Sequence, residues 1–79
     1  MKRSEVLENV KTDVADVKKR LPIGSVWQHF KSGVYEVVGL SVHTETLEVL
    51  VLYRRLDDKF VWARPARMWT PDRFIRINE

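Results

Sequence analysis

The spacing of apolar residues changes from helical to alternating at Pro22, and this change restricts the chain to a helix followed by a sheet. Before the proline, apolar residues recur at intervals of three and four, which indicates an amphipathic helix over residues 4–21. Ser4 can cap its start, basic residues 18–20 suit its negative end, and Pro22 ends it. We call the apolar stripe the helix seam: Leu7, Val10, Val14, Val17 and Leu21.

The helix seam needs a partner surface. Three of its five residues are valine, whose branched side chain lowers helix propensity. The partner is either the sheet of the same chain or a second copy, and the sequence leaves both open. In the second case the N-terminal helix would form a homodimer.

Four groups of turn residues divide the chain after Pro22 into five predicted strands. The groups lie at residues 32–33, 43–46, 57–59 and 70–72, and the strands at 25–30, 34–42, 47–55, 60–64 and 73–77. Gly39 predicts a bulge, and a single 3₁₀ turn suits residues 64–68. Barrel closure would remove exposed sheet edges. We therefore predict a mainly β fold, with an N-terminal amphipathic helix at residues 1–21 and a five-stranded SH3-like small barrel at residues 22–79.

Composition excludes several classes of protein. The chain has 79 residues and no cysteine, so it is one small domain without disulfides, a thiolate nucleophile or a cysteine zinc site. Its apolar runs are too short to cross a bilayer, and no apolar signal core follows the basic start Met1-Lys2-Arg3. We expect a cytoplasmic protein without a membrane partner.

Charge and aromatic residues are concentrated in the last third of the chain. The net charge is only +3, but residues 53–79 hold seven basic and four acidic residues. Six of the seven basic residues are arginines, interleaved with Tyr53, Phe60, Trp62, Trp69 and Phe74. Arginine binds phosphate through a planar fork and stacks on rings, so this pattern suits a nucleotide or single-stranded nucleic acid.

The predicted ligand-binding residues come from this region and from the first two strands. Tyr35, Trp62 and Trp69 would offer ring faces, Arg54 and Arg64 phosphate forks, and His29 and Lys31 further donors. The alternative interpretation is that the arginines are solvated or paired locally, as Arg55 with Asp57 or Asp58, and that the tryptophans belong to the core.

Catalytic and metal-binding patterns are weak. His29 and His43 with Glu36 and Glu45 could supply zinc or iron ligands, but nothing in their spacing requires it. No nucleophile motif, glycine-rich phosphate loop or catalytic carboxylate pair accompanies them. We expect no catalytic residues, no metal and no cofactor, and a protein that is not an enzyme.

Residues Gly24 to Phe74 resemble a small bacterial and phage family, domain of unknown function 1653. The resemblance rests on five segments: Gln28-His29-Phe30-Lys31, Tyr35-Glu36-Val37-Val38-Gly39, His43-Thr44-Glu45-Thr46, Val51-Leu52-Tyr53-Arg54, and Trp62-Ala63-Arg64-Pro65 with Met68. The chain departs from the family pattern at Trp27 (usually Tyr), Ser32 (usually Gly) and Trp69 (usually Phe). The resemblance implies a shared domain and a cytosolic bacterial or viral setting, but the family has no characterised activity that it could imply. It does not cover the N-terminal helix.

Several residues of the family pattern are polar residues that packing alone does not require: His29, Lys31, Glu36, His43, Glu45, Arg54 and Arg64. They suggest either a shared binding site or an internal hydrogen-bonded network, for example one in which Glu36 satisfies Arg64. The sequence does not separate these two interpretations.

The leading functional hypothesis is a non-enzymatic module that binds an anionic ligand, a nucleotide or a short single-stranded nucleic acid. In a phage, such a protein could sequester a host signalling nucleotide. The alternative is a protein–protein interaction module that uses the helix seam and the barrel face. Duplex DNA is a weaker hypothesis, because the net charge is small and no recognition helix is visible.

Overall fold

The computed structural model describes residues 3–78, with side chains of the N-terminal helix described from Glu8 onward. Helix α1 (Arg3–Arg20) is followed by strands β1 (Val26–His29), β2 (Val34–Val42), β3 (Val49–Arg55), β4 (Val61–Pro65) and β5 (Phe74–Arg76). A 3₁₀ turn at Ala66–Met68 joins the last two strands. The predicted mainly β fold with one preceding helix is confirmed, although Ser4 lies within α1 rather than at its cap.

The five strands form one antiparallel sheet in the order β4-β3-β2-β1-β5. The pairing register shifts between Val37 and Gly39, where the sequence predicts a bulge. Strands β4 and β5 are the two edges, and no ladder joins them within residues 3–78. The sheet is therefore open, and the closed barrel that the sequence predicts is not confirmed.

One face of the sheet, which we call the inner face, carries the core. On β3 the alternate residues Val49, Val51 and Tyr53 are buried, so one side of this strand faces the core. The core is completed by residues from four other parts of the chain: Leu21, Val37, Ala66, Trp69 and Phe74.

The second half of α1 packs against the core of its own chain. Val14 and Val17 contact the core cluster, and Leu21, just after the helix, is 1% exposed. The Arg20 guanidinium donates a hydrogen bond to the Ala66 carbonyl oxygen at 2.9 Å, which ties the end of α1 to the 3₁₀ turn. This part of the helix seam therefore has an intramolecular partner, whereas the side chain of Leu7 lies outside the described residues. Homodimer formation through α1 stays a prediction.

The side chain of Asn78, near the C-terminus, binds the backbone just before and at the start of β1. Asn78 donates through its side-chain amide to the Gly24 carbonyl at 3.1 Å and accepts the Val26 N–H at 2.6 Å. Gly24 has φ 91°, a left-handed conformation that favours glycine, so the turn after α1 is specified locally. Within residues 3–78, the structure contains no helix long and apolar enough to span a membrane.

Candidate functional site

Strand register places Trp62 and Arg64 on the inner face at the edge of the sheet. Trp62 lies opposite Tyr53, and Arg64 lies opposite Val51. Directly opposite residues in an antiparallel pair share a face, and Tyr53 and Val51 belong to the buried set of β3. The two site residues of β4 therefore extend the core face outward to the open edge.

His29 and Tyr35 join the same face from β1 and β2. His29 lies opposite Phe74 in the β1–β5 pair, and the two rings have centroids 4.8 Å apart. Tyr35 meets Tyr53 edge-on at 5.4 Å and Phe74 at 6.4 Å. Residues from all five strands thus form one aromatic layer between the unpaired edges, in which Tyr53 and Phe74 are buried. We call this layer the aromatic surface: His29, Tyr35, Tyr53, Trp62 and Phe74.

Arg64 lies over this surface. Its guanidinium carbon is 5.3 Å from the Phe74 ring centroid and 5.9 Å from that of Tyr53. The side chain therefore reaches from β4 to a residue of β5, the strand at the other edge of the sheet. Rings contact the guanidinium, and the described residues offer it no hydrogen-bond acceptor and no carboxylate within ion-pairing distance. The N–H groups of Arg64 are available to a ligand.

Three further basic residues lie near the Phe74 ring that Arg64 contacts: His29 contacts this ring, Arg73 precedes Phe74 in the chain, and the backbone of Lys31 bonds His29. Partial burial, and then the charges of Arg64, Arg73 and Lys31, hold the pKa of His29 below its ordinary value of 6.5. Nδ1 of His29 accepts the Lys31 backbone N–H at 3.1 Å, so the neutral ring carries its proton on Nε2 and can donate from there. We call His29, Lys31, Arg64 and Arg73 the basic cluster.

The basic cluster differs from the other charged groups of the domain. The four ion pairs of the described residues are Lys11–Glu8, Arg54–Glu36, Arg55–Asp57 and Arg67–Glu48, and none includes a member of the cluster. Elsewhere in the domain, three of the C-terminal arginines are neutralised locally. Hydrogen bonds from Thr70 and the backbone, and then the charge of Arg73, lower the pKa of Asp72, so this carboxylate offsets part of the charge at Arg73. An anion would neutralise the positive charge that remains.

The lowered pKa of His29 makes stability depend on pH. Because the unfolded chain binds a proton at His29 near 6.5 and the folded chain only at lower pH, the free energy of unfolding decreases as pH falls below 6.5. Protonation at Nδ1 also removes the acceptor of the Lys31 N–H. We expect urea denaturation to show that the free energy of unfolding falls less between about pH 7.5 and 5.5 for His29→Gln than for the wild type. An equal fall in the two proteins would contradict the lowered pKa of His29.

Arg54 does not lie at this site. It follows Tyr53 in β3 and therefore points to the opposite face, where its guanidinium binds the Glu36 carboxylate at 2.8 Å. The sequence suggested that Glu36 could satisfy Arg64, and the structure gives this partner to Arg54 instead. The local pairing considered for Arg55 is present, with Asp57 at 2.8 Å.

Trp69 lies in the core. It is 2% exposed and stacks on Phe74 with centroids 3.9 Å apart and planes inclined by 11°. Its ring faces are covered, so it packs beneath the aromatic surface and offers no face to a ligand.

The structure adds three residues to the site that the sequence analysis did not assign to it: Tyr53, Arg73 and Phe74. The only signal for them was their membership of the Arg and aromatic pattern in residues 53–79.

His43 has a structural role in the loop between β2 and β3. Its Nδ1 accepts the backbone N–H groups of Glu45 and Thr46 at 3.1 and 3.2 Å. In the part of the chain that the structure describes, no three His, Asp or Glu side chains come together to hold a metal ion.

A known family matches the part of the chain that carries the candidate site. The sequence profile of the family described as "Protein of unknown function (DUF1653)" matches residues 25–74. This span includes every residue of the basic cluster and the aromatic surface beneath it, and it excludes α1. No curated protein and no solved structure gives a significant match to the chain.

Proposed function

Because the chain belongs to the DUF1653 family, whose description assigns no activity, we propose its function from the geometry of the site. The domain is a non-enzymatic module that binds a phosphate-bearing ligand, a nucleotide or a short single-stranded nucleic acid, on the inner face at Arg64. The observation that carries the proposal is the Arg64 guanidinium, which lies over the Phe74 ring while its donors have no partner among residues 3–78.

The basic cluster supplies the charge for a phosphate. Arg64 can donate two parallel hydrogen bonds to phosphate oxygens, and Nε2 of His29 can donate another. His29 and Arg64 both contact the Phe74 ring, and Arg64, Arg73 and Lys31 all lower the pKa of His29, so their positive charges act near this ring. A bound anion would relieve their mutual repulsion.

The aromatic residues favour a nucleic-acid component over a simple anion. The ring of Trp62 is 55% exposed and lies two residues before Arg64 on the same face of β4. That spacing corresponds to about 6.7 Å along a strand. A stacking surface therefore lies beside the phosphate-binding group, which is the combination used to bind single strands and nucleotides.

The same geometry favours an SH3-like arrangement of the sheet, and we propose it as the finer description of the fold. The strand order β4-β3-β2-β1-β5 and the 3₁₀ turn between β4 and β5 support it. The contact of Arg64 with Phe74 connects the two edges where a barrel would close.

A protein-interaction module remains the second candidate. The observation in its favour is the start of the edge strand β4, where Val61, Trp62 and the preceding Phe60 are all more than half exposed. The helix seam contributes less to this proposal, because Val14 and Val17 already pack against the core. This alternative predicts that the ligands tested below do not bind.

A thermal-shift panel tests the proposed function. We expect inorganic phosphate, nucleotides and short oligonucleotides to raise Tm, whereas chloride at matched ionic strength does not. A ligand at 100 times its Kd adds about 2.7 kcal/mol to the free energy of unfolding. For a domain this small, that raises Tm by at least about 10 °C.

The shift should weaken with added salt, because phosphate contacts are screened. Arg54→Ala is the matched control, since this arginine is ion-paired on the opposite face and its loss should leave binding unchanged. If no phosphate-bearing ligand shifts Tm of the folded protein, the proposal is wrong.

A further inference from the structure

An aromatic row continues from Arg64 along the edge of the sheet. Phe60 is 70% exposed and Trp62 is 55% exposed, and their ring centroids lie 6.4 Å apart. The Asp58 carboxylate accepts the Phe60 N–H at 3.0 Å, which fixes the backbone at the start of the row. Phe60, Trp62 and Arg64 therefore follow one another at every second residue.

This row is longer than one nucleotide needs. Two steps of two residues each along an extended strand span about 13 Å. Beyond Arg64 the ring contacts continue beneath the surface, to the buried Phe74 at 5.3 Å and from there to His29 at 4.8 Å. The rings of Phe60 and Trp62 are inclined by 55°, so they do not clamp one planar base between them. Each ring offers a face to a base of its own.

The rings of the row lie on open surface rather than in a pocket, since Phe60 is 70% and Trp62 is 55% exposed. Clefts of about 340 and 320 Å³ adjoin the site and are lined in part by Phe74 and by Arg73 respectively, but neither is lined by Phe60, Trp62 or Arg64. Free small molecules are usually bound in concave pockets that cover most of their surface. An open row of rings beside a basic group is the arrangement that holds a single strand through several stacked bases.

Charge indicates which macromolecule covers the exposed rings. The row ends in the basic cluster at Arg64, and Lys59 precedes Phe60 at its other end. Of the two carboxylates before Lys59, Asp57 pairs with Arg55, whereas Asp58 accepts the backbone N–H of Phe60, which does not offset its negative charge. The positive charge of the row is therefore concentrated at Arg64. A polyanion with planar bases matches this combination of rings and positive charge.

Building on the proposed function, we propose that the site binds a single nucleic-acid strand of several nucleotides rather than a free mononucleotide. A phosphate lies in the basic cluster beside Arg64, and consecutive bases stack on Trp62 and then on Phe60. The length of the strand, and not its base sequence, determines affinity, because every base has a face to stack.

A length series tests the strand proposal. Calorimetric titration of the full chain with thymidine monophosphate and with thymidylate oligomers of two, four and six nucleotides should show affinity rising at least about tenfold from the monomer to the tetramer. Trp62→Ala should weaken tetramer binding by roughly 5- to 150-fold, the measured range for loss of one stacked base. Phe60→Ala should weaken tetramer binding but leave monophosphate binding unchanged.

Val61→Ala is the matched control. Val61 lies between the two rings, is 56% exposed and faces the other side of β4, so its truncation should not alter binding of any length. Thermal melts of the three variants show that each is folded.

The outcomes separate the two proposals. Equal affinity for monophosphate and tetramer overturns the strand proposal and leaves the proposed function in place. If neither these ligands nor inorganic phosphate binds, both proposals fail. If no ligand binds and the wild type is a dimer that Trp62→Ala converts to a monomer, the row is a protein interface, which also overturns both.

Discussion

Replacing Arg64 with alanine is expected to weaken binding of phosphate-bearing ligands strongly while leaving the domain folded. The guanidinium rests on Phe74 and Tyr53, and no described carboxylate pairs with it, so the variant leaves no buried charge without a partner. Hydrogen bonds to charged groups contribute about 1.5–3 kcal/mol, which predicts a loss of affinity of roughly 10- to 150-fold. Calorimetric titration measures this loss. The cation–π contacts limit the loss of stability to about 1–2 kcal/mol.

Two further variants define the role of Arg64. Arg64→Lys keeps the charge but not the planar fork, so we expect intermediate affinity. Arg54→Ala removes an arginine of the neighbouring strand from the opposite face, and binding should not change. If Arg64→Ala unfolds the protein, the residue belongs to a structural network instead, as the alternative interpretation of the sequence held.

The elements of the fold could be predicted because each has a local signal. The intervals of three and four before Pro22 correspond to α1, and the turn groups after it correspond to the loops of the sheet. Gly39 marks the bulge in β2. These features depend on residues that are close in the sequence, and the spacing of apolar residues along the sequence reveals such local features.

The site was only partly predictable, because it depends on pairing between distant strands. The contact of His29 with Phe74 requires β1 to pair with β5, and no local pattern encodes that pairing. Arg54 and Arg64 both stand beside aromatic residues in the sequence. Only strand register shows that Arg64 shares the face of Val51, whereas Arg54 follows Tyr53 and faces away. Trp69 lies in an irregular segment, where periodicity does not predict burial.

Phe74 connects the stability of the domain with its proposed site. Phe74 is 2% exposed and stacks on Trp69 with ring centroids 3.9 Å apart. Its ring also contacts Arg64 and His29. Phe74→Ala leaves a cavity beneath the site and is expected to cost about 3–5 kcal/mol. Native domains have only about 5–15 kcal/mol of stability, and small ones lie near the lower end. We therefore expect this variant to be largely unfolded by urea concentrations that the wild type tolerates.

The neighbouring residue supplies the control for this effect. Ile75 is 66% exposed on the opposite face of β5, so Ile75→Ala should change stability by less than about 0.5 kcal/mol. Phe74→Leu keeps an apolar side chain in the core but removes the ring under Arg64. If the ring positions the guanidinium, this variant folds and binds phosphate more weakly than the wild type. Unchanged binding in Phe74→Leu would show that Arg64 needs no aromatic support, and the site would then depend on the charges of the basic cluster alone.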